Sequence, residues 1–479
     1  MHIFLFLIIL LTYLIVFIPG YIAVNFNTML IAVLILWIIN VIVGFLDAKK
    51  NVVYLLFNFT FFTFLISKPT ISLFRKEEWW VFDEVNGLFA FKALMLALTF
   101  LFVGQAIGIR LLNKEKKKVE AAEVFNAKNI KIISIVLYFI SLSAFMILEF
   151  EKLVFMKDHT YVDYFSKFAS KLPYIIYVIS TFMKYSLCMF LVCKPKKKEA
   201  FIPLALYVLS AVPQLIIGIR NPIVQNCIFA FLYYCIRDIM GDKEKWFGRI
   251  EKTLIVAMVP FILVFLGALN YTRADAEVSK NGFELIIDLF YHQGITFDVL
   301  TIGYASIPAL PVRPFRNYTF GGFIDYFLHG TIGQLFGGTP LPSGNNMEQA
   351  LYSNSFAHNM SYVAKGKEYL EGHGWGSSYI LETFVDYGYI GVIISSMLIG
   401  IFCVYVLKFM KKNKYTFYIS LLALTSFFML PRAEATGWLT FILTAQFWIS
   451  TIVIVMGSNL CIKTYYHKNL KYIGGKKHV

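Results

Sequence analysis

Three arginines sit where apolar runs meet turns: Arg220 in IIGIRNPIV, Arg273 in GALNYTRADAE and Arg432 in FFMLPRAEATGW. Each lies beside a Pro, Asn or Asp. A charge at the centre of a membrane helix costs about 2.5–3.5 kcal/mol, so charges carried by such a chain need a reason. The guanidinium fork grips phosphate through two parallel hydrogen bonds and keeps its charge at any physiological pH. Three of them converging would hold a pyrophosphate. Each alone serves equally well to anchor a helix end in the headgroup layer. Their gathering at one membrane face is what favours a site.

The stretch HGWGSSYILETFVDYGYIG, from His373 to Gly391, carries a second set. Glu382 and Asp386 are four apart and share a helix face, with Tyr379 and Tyr389 near it. Two close carboxylates in a dry setting suit a general base; the alternative is a structural pair satisfied by arginines. Gly388 and Gly391 would let a neighbouring helix approach closely. His358, in NSFAHNMSYV, is a further proton acceptor, although His292, His329 and His373 share its region. Lys184, mid-run in ISTFMKYSLC, either pairs with a carboxylate or lines a wet cavity. GHGWGSS lacks the Gly-Lys-Ser/Thr of a nucleotide loop. No compact His/Asp/Glu pattern suggests a metal. Trp79, Trp80 and Trp375 either stack on sugar rings or belong to the interfacial aromatic belt.

The elements that position these residues are membrane helices. The 479 residues are 58% hydrophobic and 15% charged, beyond the roughly 45–50% apolar share of soluble domains. The net charge of +15 calls for no nucleic acid, because cytoplasmic loops of membrane proteins are basic. None of the six cysteines forms a Cys-x-x-Cys, so neither a zinc site nor a disulfide framework is expected. Apolar runs predict an all-α polytopic protein with about twelve spans, near 2–18, 28–46, 52–67, 87–109, 130–150, 173–193, 200–218, 221–240, 253–272, 377–407, 415–431 and 438–457. With twelve spans, DAKKN, the lysine-rich stretch around 114–131, KPKKKEA, the 237–252 connection, KFMKKNK and the tail all fall on one side with both termini. These hold more than half of the 44 Lys and Arg. That side is cytoplasmic. The expected organisation is nine spans in 1–272, an outer loop of short amphipathic helices in 273–376, three spans in 377–457 and a basic tail in 458–479. A loop that long is functional or a small domain.

FAHNMSYVAKGKEYLEGHGWGSSYILETFVDYGYIGVII resembles the C-terminal signature of the bacterial O-antigen and capsule polysaccharide polymerases, the Wzy family. The positions that carry the likeness are His358, Tyr362, Gly374, Gly376, Ser377, Ser378, Tyr379, Glu382, Asp386, Tyr387, Gly388 and Gly391, together with Gly218 and Arg220 of GIRNP. The resemblance implies a GT-C-like, O-antigen polymerase-like architecture. It implies a membrane glycosyltransferase that joins undecaprenyl-pyrophosphate-linked repeat units on the outer face of the cytoplasmic membrane, without a cofactor. In that reading Glu382, His358 and Asp386 are catalytic, Arg220, Arg273 and Arg432 bind pyrophosphate, and Tyr379, Tyr362 and Trp375 touch substrate. The partners implied are the lipid-linked donor and acceptor, the bilayer, a Wzz-like chain-length regulator and a Wzx-like flippase, with no nucleic acid. An O-antigen ligase type of transferase and a lipid-linked oligosaccharide flippase remain open at this point.

Overall fold

The computed structural model describes residues 2–80, 82–114, 127–159, 163–164, 167–241, 244–272 and 280–474. It is helical throughout these residues, with no strand among them. The order begins α1 (His2–Ile22), α2 (Phe26–Leu46) and α3 (Val52–Arg75). It continues with α4 (Glu84–Lys114), α5 (Ala127–Phe155) and α6 (Tyr174–Val192). Then come α7 (Lys197–Ile217), α8 (Asn221–Ile239) and α9 (Arg249–Thr272).

Among the described residues, ten helices are long and apolar enough to cross a membrane, or eleven if the pair Gly437–Leu443 and Ala445–Leu460, bent by 56°, forms one span. The difference from the expected twelve is local. Helices stand at both extra places, but α8 carries Gln225, Asn226, Arg237 and Asp238 in 19 residues. The other, Lys414–Leu424, is 11 residues long and tightens into a 3₁₀ turn over Phe427–Arg432. Conversely Gly282–Ala309, within the expected loop, passes the same test. It is two pieces, α10 (Gly282–Gln293) and α11 (Thr296–Ser306).

The rest of that loop folds into α12 (Gly321–Leu328), α13 (Phe356–Lys365) and three shorter helices. The chain then enters α14 (Tyr379–Met410). The core joins α2, α3, α4 and α14 through Met29, Val33, Phe57, Phe61, Leu94, Leu98 and Val392, all essentially inaccessible. Helices α4 and α14 touch backbone to backbone. A Cβ on Gly104 would fall 2.1 Å from the Met397 oxygen, and one on Gly400 2.3 Å from the Leu101 oxygen.

Gly388 and Gly391 do something different from the close approach expected of them. Gly388 has φ 64° and ψ −157°, and a Cβ there would meet nothing within 4 Å. It bends α14, and the Gly391 Cβ would meet the Thr383 oxygen of the same helix at 2.2 Å. The segment bearing Glu382 and Asp386 is thereby set off from the long inner part of the helix.

Contacts between elements mark two ends. At one, Lys131 pairs with Glu199 at 2.6 Å, Lys197 with Glu251 at 2.5 Å, and Lys408 donates to the Leu112 carbonyl at 3.2 Å. At the other, Gln214 meets Glu149 at 3.0 Å, Arg220 meets the Leu266 carbonyl at 3.3 Å, and Arg432 meets Gln293 at 2.8 Å.

Candidate functional site

The residues of interest collect at this second end in two neighbouring clusters. The first is built on α10. Asn281 caps the helix in a reciprocal box with Glu284, which satisfies two orphan donors. Leu285 and Leu289 bury against Leu266 of α9 and its surroundings. The polar face then meets a ring of cations. Asp288 is bound by Arg75 at 2.7 Å, Lys280 at 2.7 Å and the Tyr271 hydroxyl. Lys68 pairs with Asp298 of α11. Lys68 and Arg75 also lie over the Tyr291 ring, at 5.9 and 5.6 Å. Arg432 donates to Gln293 at 2.8 Å, and its guanidinium lies 5.7 Å from the Phe64 ring. Arg220 holds the Leu266 carbonyl of α9, and its charge reaches His292. Five cationic side chains thus surround one helix whose own neighbourhood contributes the carboxylates Asp288 and Asp298. Such a rim attracts an anion.

The second cluster is a knot of carboxylates where α14 begins. Glu382 is fully buried; it accepts from the Ser377 hydroxyl at 2.6 Å and from the Ala435 N–H at 2.7 Å. Asp386 accepts from the Thr319 N–H at 2.6 Å and hydroxyl at 2.7 Å. Thr436 ties back to the Thr319 carbonyl at 2.6 Å. Ser355 reaches Glu434 at 3.3 Å, and Asn354 holds Asp325 through its N–H and side chain, both at 2.8 Å. Burial pushes Asp325 above the usual carboxylate range; burial and the Asp325 charge do the same to Glu434. The knot locks three segments: the start of α14, the turn 432–436 and the loop before α12.

His358 stands on α13. Its Nδ1 is 2.8 Å from the Tyr369 hydroxyl, which also reaches the Asn346 carbonyl at 3.4 Å. Burial lowers the His358 pKa below its ordinary value, so the ring is neutral near pH 7. Helix α13 is stitched to the glycine-rich stretch, since Ser361 bonds both the Trp375 N–H at 2.7 Å and its carbonyl at 3.1 Å. Gly376 in turn lies against the Arg432 carbonyl, 3.7 Å from where a Cβ would stand.

The structure therefore brings Arg220 and Arg432 to the packed pair α9 and α10, Arg220 on the Leu266 carbonyl and Arg432 on Gln293, while Arg273 lies outside the described residues. Glu382 and Asp386 do share a face; Glu382 spends both oxygens on hydrogen bonds to the protein, whereas Asp386 takes both of its bonds from Thr319 on Oδ2. Tyr379 is fully buried with its hydroxyl 3.2 Å from Ser396, in the core rather than at a surface where substrate could touch it. Tyr362 packs edge-on to Tyr369, and Trp375 lies beneath Lys365 at 5.5 Å; both remain partly accessible. Lys68, Arg75, Lys280 and Asp288 of the rim, and Thr319 and Glu434 of the knot, escaped the reading of the sequence. Among the described residues no group of His, Cys, Asp and Glu could hold a metal.

These features define a polytopic, all-helical membrane protein with its polar chemistry concentrated at one rim. The O-antigen polysaccharide polymerase Wzy family matches residues 1–465, essentially the whole chain, and the chain belongs to that family. No curated protein and no solved structure matches it. Its function is O-antigen polymerisation, a glycosyltransferase-type activity, and the family acts on lipid-linked repeat units in the membrane.

Proposed function

We propose that the cationic rim around α10 holds the pyrophosphate of a lipid-linked glycan donor at the outer face of the cytoplasmic membrane. The observation that carries this reading is that Arg432, from a distant turn, donates to the helix already ringed by Lys68, Arg75 and Lys280, while Arg220 holds the adjoining α9 with its charge acting on His292 of α10. The opposite, lysine-rich end faces the cytoplasm, which leaves the rim outside. On this topology α8 and the helix Lys414–Leu424 complete twelve passes, and α10 with α11 lie in the outer rim, held there by the charges of Asp288 and Asp298.

The lipid tail has a path. Between α7, α8 and α9 runs an apolar groove of about 600 Å³, lined by Phe201, Cys227, Phe231, Leu254, Met258 and Ile262. It leads along α9 toward Leu266, whose carbonyl Arg220 holds.

In the reaction, a hydroxyl oxygen of the acceptor repeat unit bonds to the anomeric carbon of the donor glycan. The bond from that carbon to the pyrophosphate oxygen breaks, and its electron pair leaves with the pyrophosphate. Arginines at the rim stabilise the charge that develops there, commonly the largest catalytic contribution. The hydroxyl proton passes to His358 Nε2, which is neutral because the ring is buried and is oriented through Nδ1 by Tyr369. Glu382 and Asp386 are positioning residues that fix the 432–436 turn and hence Arg432.

The test is the pair Arg220→Gln and Arg432→Gln. Long polymer disappears and single lipid-linked repeat units accumulate, with protein level and melting temperature unchanged. Normal chain lengths in both variants would overturn the assignment. Purified protein in liposomes separates the flippase reading: lipid-linked repeats supplied on the rim side give a polymer ladder, whereas transport would move substrate without one.

A further inference from the structure

A second cavity, of about 500 Å³, opens between α5, α6 and the start of α8. Its wall is mixed: Glu149, Lys152, Lys184, Gln214 and Asn226 alternate with rings of Phe168 and Tyr177. Glu149 is fully buried, and both its partners, Lys152 at 2.6 Å and Gln214 at 3.0 Å, bind Oε1. Its Oε2 is buried with no hydrogen bond. Lys184 sits in mid-helix with no ion pair or hydrogen bond among the described residues; its nearest ring is Tyr185 at 5.7 Å. Glu151, the other carboxylate of the wall, is already taken by Ser170 and the Lys171 N–H at 2.5 and 2.7 Å. A lone carboxylate oxygen and a lone ammonium are each unfavourable inside a membrane protein. Here both line one void of a size that suits a small polar ligand.

We propose that this cavity is a sugar-binding subsite, which takes a neutral pyranose of the glycan chain. Glu149 Oε2 accepts from one ring hydroxyl, Lys184 Nζ donates to another, and Tyr177 and Phe168 offer flat apolar faces to the ring's C–H side. A carboxylate and an amine at separate points recognise a pattern of hydroxyls. A phosphate would be repelled by Glu149, and an apolar chain would leave both groups unsatisfied. The subsite joins the rim through α8: Pro222 lines the cavity two residues beyond Arg220. On the far side of α7 and α8 lies the apolar groove, so these helices separate a polar compartment from the lipid path. The identity of the sugar's carrier rests on the polymerase reading above; the subsite itself rests on the cavity.

The experiment uses full-length protein in nanodiscs and two probes, the free repeat-unit oligosaccharide released from its lipid, and undecaprenyl pyrophosphate without sugar. Wild type binds both. Glu149→Gln and Lys184→Met each weaken oligosaccharide binding by about tenfold or more, the loss that goes with one charge-assisted hydrogen bond, and leave undecaprenyl pyrophosphate binding unchanged. Arg220→Gln does the reverse. Lys184→Met removes a charge from a membrane helix, so its melting temperature does not fall, and it decides the matter if Glu149→Gln fails to fold. No oligosaccharide binding by wild type, or wild-type binding by Lys184→Met, overturns the subsite. Intact undecaprenyl pyrophosphate binding by Arg220→Gln would sink the pyrophosphate assignment and leave the subsite standing.

Discussion

Glu382 admits two roles, proton acceptor and positioning residue, and its two simplest substitutions separate them. The carboxylate holds Ser377 through Oε1 and the Ala435 N–H through Oε2. Buried hydrogen bonds contribute about 0.5–1.5 kcal/mol each and a stranded buried donor costs about 1–3, so Glu382→Ala, which loses both bonds and strands the Ala435 N–H, costs about 2–6 kcal/mol. Set against a typical folding free energy of about 5–15 kcal/mol, that loss is severe. Glu382→Gln behaves differently. Its amide oxygen accepts from Ala435, and its NH₂ donates to the Ser377 hydroxyl. Both bonds survive, so the cost is small. The measurements are melting in detergent and polysaccharide chain length in a deletion strain carrying each variant. A positioning role gives a sharp fall in melting temperature and in polymer for Ala, and near-normal polymer for Gln. A proton acceptor cannot be an amide. Glu382→Gln with wild-type melting and no polymer would therefore refute the positioning argument and return Glu382 to the chemistry.

His358 supplies a pH signature. Burial sets its folded pKa below the ordinary value of 6.5. The neutral, competent ring thus persists to lower pH than in solution, and polymerisation in liposomes is lost as pH falls through that depressed pKa, not at 6.5. The same sign holds for stability, because a ring buried neutral must charge as the protein unfolds in acid, so the fold weakens below about 6.5. His358→Gln should give no polymer at any pH and should remove the His358 share of the acid limb of the stability profile, while the share of His292, also held low by burial, remains. Gly388→Ala tests the bend in α14. The site has room, so the penalty is backbone strain alone, about 1–3 kcal/mol for a conformation that only glycine adopts readily. Stability should drop by that amount, read as a lowered melting temperature; an unchanged melting curve would show that the bend is not required.

What the sequence made legible follows from how far each signal reaches. Arg220 and Arg432 announce themselves because a charge beside Pro222 or Pro431 at the end of an apolar run is visible within ten residues. The partners that make them a site are not. Arg75 meets Asp288 across 213 positions, and Thr319 meets Asp386 across 67. No periodicity encodes such pairs, and Thr319 carries no local mark at all. Asp288 was readable only as the polar face of an amphipathic stretch, GFELIIDLFYHQ, which fits a helix on the membrane surface as well as one ringed by cations. Glu382 is ambiguous for a related reason. Residue type and spacing fit both a base and a buried lock, and it is the burial of both oxygens that favours the lock on the reading proposed here. Lys184 was legible as an alternative, and the structure selects the cavity over the carboxylate partner.

The arrangement at Arg220 follows from what a lipid-linked glycan is. Such a substrate has three chemically distinct parts, an apolar tail, a doubly charged link and a hydroxyl-rich chain, and no single environment satisfies all three. The tail calls for an apolar groove open to lipid, and the link calls for cations. Those cations are least costly at a membrane boundary, where long side chains keep contact with water. The sugars call for paired donors and acceptors. On the reading proposed here the first turn of α8 is where the three environments meet. The groove lies on one side of α7 and α8, the cavity holding Glu149 and Lys184 on the other, and Arg220 stands at the junction. A helix with a Pro in its first turn, two residues after an Arg, is a compact way to build that junction. Proline fixes the first turn without needing the hydrogen bond it lacks, and the arginine preceding it is left at the rim, where it reaches the Leu266 carbonyl.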